Sequence, residues 1–157
     1  MPSDCFAVAV ITAREPVKDN RWISERWRVV GVVRAASDAV AGRTQIRSGP
    51  EGEQYLWNGL QLKLRESEAD SYYFNLIAQN PNLQVICQTG DDGEPRPVVV
   101  TADYIDAMAH REAGADVHAV AIPADLYVWL ERYVLDHYTP EEKKTRRKHD
   151  GRTEETR

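Results

Sequence analysis

Hydrophobic and polar residues alternate along most of the first hundred positions of the chain. Such alternation is typical of β-strands, because successive side chains of a strand point to opposite faces. It predicts six strands, at Phe6–Ile11, Trp27–Val33, Tyr55–Leu64, Ser71–Ile77, Leu83–Cys87 and Pro97–Val100. Residues 35–53 are small, polar and contain glycines. We therefore expect a long loop between the second and third strands.

The third predicted strand has the clearest pattern of the six. Leucines occupy one of its faces, and aromatic and polar residues occupy the other, namely Leu56, Leu60, Leu62 and Leu64 against Tyr55, Trp57, Gln61 and Lys63. The turn sequence Asn80-Pro81-Asn82 predicts a hairpin of the fourth and fifth strands. A second turn, Gly90–Gly93, leads to the sixth strand.

The period of the apolar residues changes to that of a helix after the sixth strand. Thr101 can cap a first helix, and Gly114 can end it. The segment 117–122 is predicted to be extended. Pro123 suits the first turn of a final helix, which Thr139-Pro140 ends. Apolar residues recur with helical spacing in that helix, at Leu126, Trp129, Leu130, Tyr133, Val134 and His137.

The order of these elements predicts an α+β fold. We expect an antiparallel six-stranded meander or a partly closed barrel, followed by two helices. In this interpretation residues 1–140 form a single globular domain. Residues 141–157 contain no hydrophobic side chain. Because such a segment buries too little surface to offset the entropy of ordering, we predict a disordered charged tail.

Charge is distributed unevenly along the chain, whose formal net charge is −5. The tail holds seven Lys/Arg against five Asp/Glu, whereas the first 140 residues hold thirteen against twenty. Because the first 140 residues carry an excess of negative charge, they are poorly suited to bind phosphate backbones. Nucleic acid is therefore not the expected partner. The basic run Lys143–Lys148 is interpreted as a solvated segment in preference to a nucleic-acid site.

Several features of the sequence predict a cytoplasmic location. The chain has two cysteines, which is too few for a disulfide framework. Its first residues lack the basic and apolar regions of a signal peptide, and no apolar run approaches the length of a membrane span. We therefore expect no membrane association.

Motifs that mark catalysis or cofactor binding are absent from the sequence. No glycine-rich phosphate loop occurs, and Cys5 and Cys87 are too far apart to begin a zinc site. We predict no cofactor, no metal and no catalytic residue. Cys87, His118 and His137 lie in apolar segments, where packing explains them. The sequence favours a non-enzymatic protein. The alternative, a catalytic site assembled from residues far apart in the chain, is compatible with it.

Aromatic and basic residues of the early strands are the candidate functional residues. Trp, Tyr and Arg are enriched at the centres of protein interfaces, so a sheet face that carries them suits partner binding. We assign to this predicted partner site Arg21, Trp22, Arg26, Trp27, Arg28, Tyr55, Trp57, Tyr72, Tyr73 and Asn75. The alternative is equally compatible with the pattern: the rings form a second core, under the helices or inside a barrel.

Five segments of the chain resemble a bacterial family of uncharacterised proteins, a domain of unknown function. These segments are Asn20-Arg21-Trp22 with Trp27-Arg28-Val29, Tyr55–Leu60, Ser71–Leu76, Pro97–Thr101 and His137–Glu141. The resemblance extends over about residues 5–142. Members of the family are found beside formate dehydrogenase genes, and some are labelled molybdopterin-guanine dinucleotide biosynthesis protein.

The resemblance implies a non-enzymatic accessory protein in the maturation or assembly of a molybdenum or tungsten formate dehydrogenase, with a subunit of that enzyme as partner. The alternative is a small enzyme or nucleotide-binding protein of molybdenum cofactor biosynthesis. A guanylyltransferase would need a glycine-rich nucleotide loop, which this chain lacks. The oligomeric state and the identity of the partner are left open.

Overall fold

The chain forms one mixed sheet with helices packed against it. The computed structural model describes residues 4–18, 21, 22 and 24–140. Within these residues a 3-10 turn at Glu66–Glu68 precedes the first α-helix. The strands and α-helices are, in chain order, β1 (Cys5–Pro16), β2 (Glu25–Arg34), β3 (Gly42–Gly49), β4 (Gly52–Lys63), α1 (Ala69–Leu76), β5 (Asn82–Thr89), β6 (Pro95–Thr101), α2 (Tyr104–Glu112), β7 (Asp116–Ala121) and α3 (Ala124–His137).

The sheet has the strand order β2-β1-β4-β6-β5-β7, and β3 pairs with β4 beside this path. Adjacent strands are antiparallel with one exception, because β4 and β6 run parallel where Leu62 faces Val100. The two ends of the path, β2 and β7, approach each other. The sheet is therefore a nearly closed barrel, in which β4 is shared between β1 on one edge and β3 and β6 on the other.

A β-bulge divides β4 into two halves. Val8 of β1 pairs with Leu60, and Val10 pairs with Trp57, so Asn58 and Gly59 together oppose a single residue of β1. Gly59 has a positive φ of 99°, a conformation that glycine adopts without strain. Because the bulge adds one residue, it reverses which side chains of β4 point inward.

The interior of the barrel is lined by residues from both halves of β4. Trp57 before the bulge and Leu60 and Leu62 after it belong to the same hydrophobic core. The prediction that Tyr55 and Trp57 lie on the face opposite the leucines is therefore wrong for Leu60, Leu62 and Leu64. A strictly two-residue period cannot reveal an inserted residue, which shifts the period by one.

Two helices close the core. Leu126, Leu130 and Tyr133 of α3 are buried, and so are Tyr72 and Leu76 of α1. The ring of Phe6 contacts Trp129, with centroids 4.7 Å apart. The third helix, α2, begins after Asp103, whose side chain accepts a hydrogen bond from the Ile105 N–H, and buries Ala107 beside β5.

Several predictions of elements are confirmed. The predicted first, second, third, fifth and sixth strands are β1, β2, β4, β5 and β6, with longer bounds in most cases. The turn at Gly90–Gly93 joins β5 to β6 in a hairpin. The extended segment 117–122 is β7, and both predicted helices are present as α2 and α3. The α+β class and the barrel-like sheet are thus confirmed.

The prediction of a strand at Ser71–Ile77 is wrong, because this segment lies within and just after α1. Its aromatic residues favour a strand by intrinsic propensity, but Ala69, Tyr72 and Leu76 are buried with helical spacing. Tertiary packing against α3 outweighs the local preference. Consequently the turn at Asn80-Pro81-Asn82 joins a helix to β5 and not two strands of a hairpin.

The prediction of a loop over residues 35–53 is also wrong in part, since this segment contains β3 and the start of β4. Every residue of β3 is exposed, so it lacks the apolar alternation that marks a strand. Backbone pairing with β4 holds it in place. Two further corrections follow: the sheet is mixed and not purely antiparallel, and α1 interrupts the strands, so the helices do not all come last.

Some predictions are not tested by this fold. The predicted tail 141–157, with its basic run, and two residues of the resemblance, Asn20 and Glu141, lie outside the described residues. Within the described ranges, no helix has the length and apolar character needed to cross a bilayer. The cytoplasmic location and the domain boundary at residue 140 stay predictions.

Replacing Gly59 by alanine should destabilise the protein by roughly 2–3 kcal/mol. The new methyl carbon would lie 2.5 Å from the Ala41 Cβ, and the positive φ disfavours any L side chain. Urea unfolding measures the effect. The control is Gly31→Ala in β2, where no atom lies within 4 Å of the added carbon. Equal stability of the two variants would contradict the bulge.

Candidate functional site

The ten residues of the predicted partner site do not meet on one surface. Arg21 and Trp22 lie near the tip of the β1–β2 hairpin, where Trp22 is 84% exposed. Trp27, Tyr55 and Trp57 lie inside one end of the barrel, and Arg26 and Arg28 are exposed on β2. Tyr72, Tyr73 and Asn75 belong to α1. The structure thus separates them into four places: a hairpin tip, the inside of a barrel end, the outer face of β2 and a helix.

The barrel end is a packed layer of rings and ion pairs. The guanidinium of Arg43 lies 3.9 Å from the centroid of the Tyr55 ring and 5.7 Å from that of Trp57. Its Nε donates a hydrogen bond of 2.6 Å to the carboxylate of Glu94, a buried residue before β6. Trp57 donates its indole N–H to Thr12 Oγ1 at 3.0 Å. The indole N–H of Trp57 and the faces of the two rings are therefore in contact with other groups of the protein itself.

A second cation completes the barrel end from β1. The Arg14 guanidinium lies 5.7 Å from the Trp27 ring and binds Glu53 at 2.6 Å and Glu25 at 3.4 Å. The rings of Trp27 and Tyr55 are 5.8 Å apart. The sequence analysis did not identify Arg14 and Arg43, because only the pairing of β1 with β2 and of β3 with β4 brings them to the rings.

On the outer face of the barrel, Arg26 and Arg28 share one carboxylate. Arg28 donates to Glu15 at 2.9 Å, and this hydrogen bond lowers the pKa of the Glu15 carboxyl. Arg26 is 3.8 Å from the same carboxylate. Both arginines are exposed, so the pairs contribute little to stability and leave the guanidinium groups accessible.

The predicted residues of α1 have mainly structural contacts. The Tyr72 hydroxyl accepts a hydrogen bond from the Arg65 N–H, and burial raises the pKa of Tyr72 to about 12. Tyr73 stacks on Tyr138 at 4.3 Å. The Asn75 amide bonds to the backbone of Asn82 and of Ala102, which fixes α1 to β5 and to the start of α2.

An open groove between α1 and α2 is the feature that the sequence analysis missed. Its volume is about 690 Å³. Three side chains in it are largely exposed although apolar or aromatic: Phe74 at 54%, Tyr104 at 58% and Ile105 at 71%. Glu68 and Asp70 also line it, and among the residues that the structure describes no Lys or Arg does. A helical assignment of residues 69–76 would have placed Asp70 and Phe74 on one face.

A pair of carboxyl groups stands beside this groove. Asp103 is buried and accepts hydrogen bonds from Ser71 Oγ at 2.7 Å and from the Ile105 N–H at 3.0 Å. A hydrogen bond with Asp103 raises the pKa of Glu68, and burial and the Asp103 charge add to the shift. The neighbouring Asp103 therefore makes ionisation of Glu68 less favourable than that of an isolated glutamate. Glu68 and Ile105 also line a smaller cavity of about 320 Å³.

The remaining candidate groups are poorly suited to chemistry. Burial raises the pKa of the Cys87 thiol to about 12, which suppresses the reactive thiolate. Burial lowers the pKa of His118. Neither residue lines the groove. In the part of the chain that the structure describes, no three His, Cys, Asp or Glu side chains are grouped in a way that could hold a metal ion.

Comparison with known proteins identifies the family but no relative of known activity. The DUF3305 family, described as proteins of unknown function, matches residues 7–148. The chain belongs to DUF3305. No curated protein matches it, and no solved structure does. The resemblance to a domain of unknown function is thus confirmed, while the link to formate dehydrogenase stays a prediction.

In this DUF3305 protein, Arg43→Met should lower the free energy of unfolding by roughly 1–3 kcal/mol, because it leaves the Glu94 carboxylate buried without its cation. The partial exposure of Arg43 limits the loss. Glu94→Gln should lower the free energy of unfolding by a smaller amount. The double variant should be more stable than the sum of the two single effects implies. Urea unfolding tests this. Arg47→Met, in the same strand but with an exposed partner, is the control; an equal loss there would refute the assignment.

Glu68→Gln should raise the melting temperature at about pH 7.5. The pKa of Glu68 is raised in the folded state. Ionisation of this carboxyl therefore lowers stability as the pH rises from the pKa of the unfolded state to that of the folded state. Glutamine removes the charge and can still donate to Asp103. At about pH 4 both states of wild type are mostly protonated, so the difference should shrink. A variant less stable than wild type at the higher pH would contradict the paired carboxyls; Glu131→Gln, on α3, is the control.

Proposed function

We propose that this protein is a non-enzymatic accessory protein that binds a segment of another polypeptide in the groove between α1 and α2. The observation that supports the proposal is the exposure of Phe74, Tyr104 and Ile105 together in one open concavity. Exposed apolar side chains that line a groove mark interaction sites, because their burial on binding is favourable.

The rigidity of the groove also supports a binding role. Asn75 connects α1 to two neighbouring segments, and the hydrogen bond of Ser71 to Asp103 joins α1 to the N-terminus of α2. The walls are thus held by bonds within the protein. A partner that docks here loses little free energy to ordering the site.

The partner that we propose is a subunit of a molybdenum or tungsten formate dehydrogenase in the cytoplasm, as the resemblance of the sequence implies. The Trp22 ring and the side chains of Arg21, Arg26 and Arg28 are exposed, and in this proposal they make a second contact with the partner. Tyr55 and Tyr72 are buried, so in this proposal they support the binding surfaces from beneath and do not contact the partner directly.

A small enzyme or nucleotide-binding protein of molybdenum cofactor biosynthesis is the alternative. The raised pKa of Glu68 beside a groove favours it, since shifted pKa values are common at active sites. The lining opposes it: the phosphates of a nucleotide would face Glu68 and Asp70, and no Lys or Arg of the described ranges lines the groove to neutralise them. We therefore prefer the binding of a polypeptide.

Affinity purification from the native host tests the proposal. The tagged wild-type chain should recover a formate dehydrogenase subunit, and Phe74→Ala/Ile105→Ala should reduce the recovery about tenfold or more, because each truncation removes a buried contact. The control is Leu135→Ala, a side chain 79% exposed on α3 outside the groove. Full recovery with the groove variant would contradict the proposal. A rise in melting temperature with GTP that the groove variant abolishes would favour the alternative.

A further inference from the structure

The chemistry of the groove indicates which segment it receives. We infer, on the basis of the proposed function, that the groove binds a short basic and apolar polypeptide segment, in which Lys or Arg side chains alternate with aliphatic ones. The inference depends on three properties of the groove: the sign of its charge, the occupation of the adjacent helix N-terminus and the nature of its exposed rings.

The first property is an unbalanced negative charge. Glu68 and Asp70 line the groove, and within the described ranges neither forms an ion pair with Lys, Arg or His. Lys63 and Arg65 line the smaller cavity and are not part of the groove. A cationic segment would supply the missing counter-charge, which favours that class of partner and speeds its association.

The second property of the groove argues against an acidic peptide as its partner. The N-terminus of α2 borders the groove, and free N–H groups at a helix N-terminus would attract an anion. Here the Asp103 carboxylate already accepts from the Ile105 N–H and holds that position. At α1, Asp70 accepts from the Ser71 N–H. An acidic peptide would thus find carboxylates where it needs donors.

The third property is the kind of surface that the carboxylates surround. Phe74 and Tyr104 expose aromatic rings, and Ile105 exposes an aliphatic side chain. Lys and Arg pack their methylene stems on apolar surface while the charged end stays in water, and their cations are attracted to ring faces. Aliphatic side chains of the same segment would cover Ile105. A purely basic segment would leave that surface exposed.

Fluorescence anisotropy with the full chain tests the inference. The probe is a short fluorescein-labelled peptide of alternating lysine and leucine, and the comparison peptide carries glutamate in place of lysine. The lysine peptide should bind, more weakly as salt rises, and the glutamate peptide should not. Glu68→Gln/Asp70→Asn should weaken binding about tenfold, and so should Phe74→Ala/Ile105→Ala.

A matched control separates the groove from the net charge of the protein. Glu131→Gln/Asp136→Asn makes the same change in charge on exposed positions of α3 outside the groove, and it should leave the affinity unchanged. Equal weakening by the two charge variants would overturn the inference, as would equal binding of the two peptides. The inference would also be overturned by tighter binding of the lysine peptide after five residues are replaced by glutamine, namely Lys143, Lys144, Arg146, Arg147 and Lys148. That result would mean that the chain's own basic run occupies the groove.

The results distinguish this inference from the proposed function. If the groove variant Phe74→Ala/Ile105→Ala loses its partner in the affinity purification but the lysine peptide does not bind, the groove binds a polypeptide of other chemistry and only the inference fails. If the peptide binds in the groove but the purified partner is unaffected by that variant, the proposed function fails at this site.

Discussion

The β-bulge at Asn58–Gly59 is the constraint on which the rest of the structure depends. Because two residues of β4 oppose one of β1, the strand changes the face that it turns inward halfway along its length. Trp57 and Tyr55 therefore enter the barrel together with Leu60 and Leu62. Without the extra residue, either the rings or the leucines would face outward, and the barrel could not be filled from both ends.

Because the rings lie inside the barrel, the charged residues around them have a structural role. Arg14 and Arg43 pack against ring faces and bind carboxylates, so the barrel end is closed by a layer that combines aromatic area with paired charge. The surfaces that we propose for partner binding lie elsewhere, at the hairpin tip and in the groove. In the groove, apolar side chains are exposed beside Glu68, whose ionisation opposes folding.

The sequence predicted those elements whose pattern is set locally, such as α3 with its apolar stripe and the β5–β6 hairpin with its glycine turn. It could not predict β3, which is exposed and held by backbone pairing, or α1, whose strand-forming residues become helical because Tyr72 and Leu76 pack against α3. Tyr55 and Trp57 lie opposite Leu56, as predicted, but on the same side as the other leucines of the segment. The bulge that causes this, and the division of the candidate residues among four places, follow from tertiary pairing. The groove depends on α1 and was therefore out of reach.

Hydroxyl-radical footprinting with mass spectrometry tests the inward turn of β4 most directly. It compares the oxidation rates of two tyrosines in the native chain, Tyr55 before the bulge and Tyr104 at the groove, each relative to its rate in the unfolded chain. The structure predicts strong protection of Tyr55 and weak protection of Tyr104. Equal rates for the two would mean that the ring of Tyr55 faces solvent, and the packed barrel end would have to be abandoned.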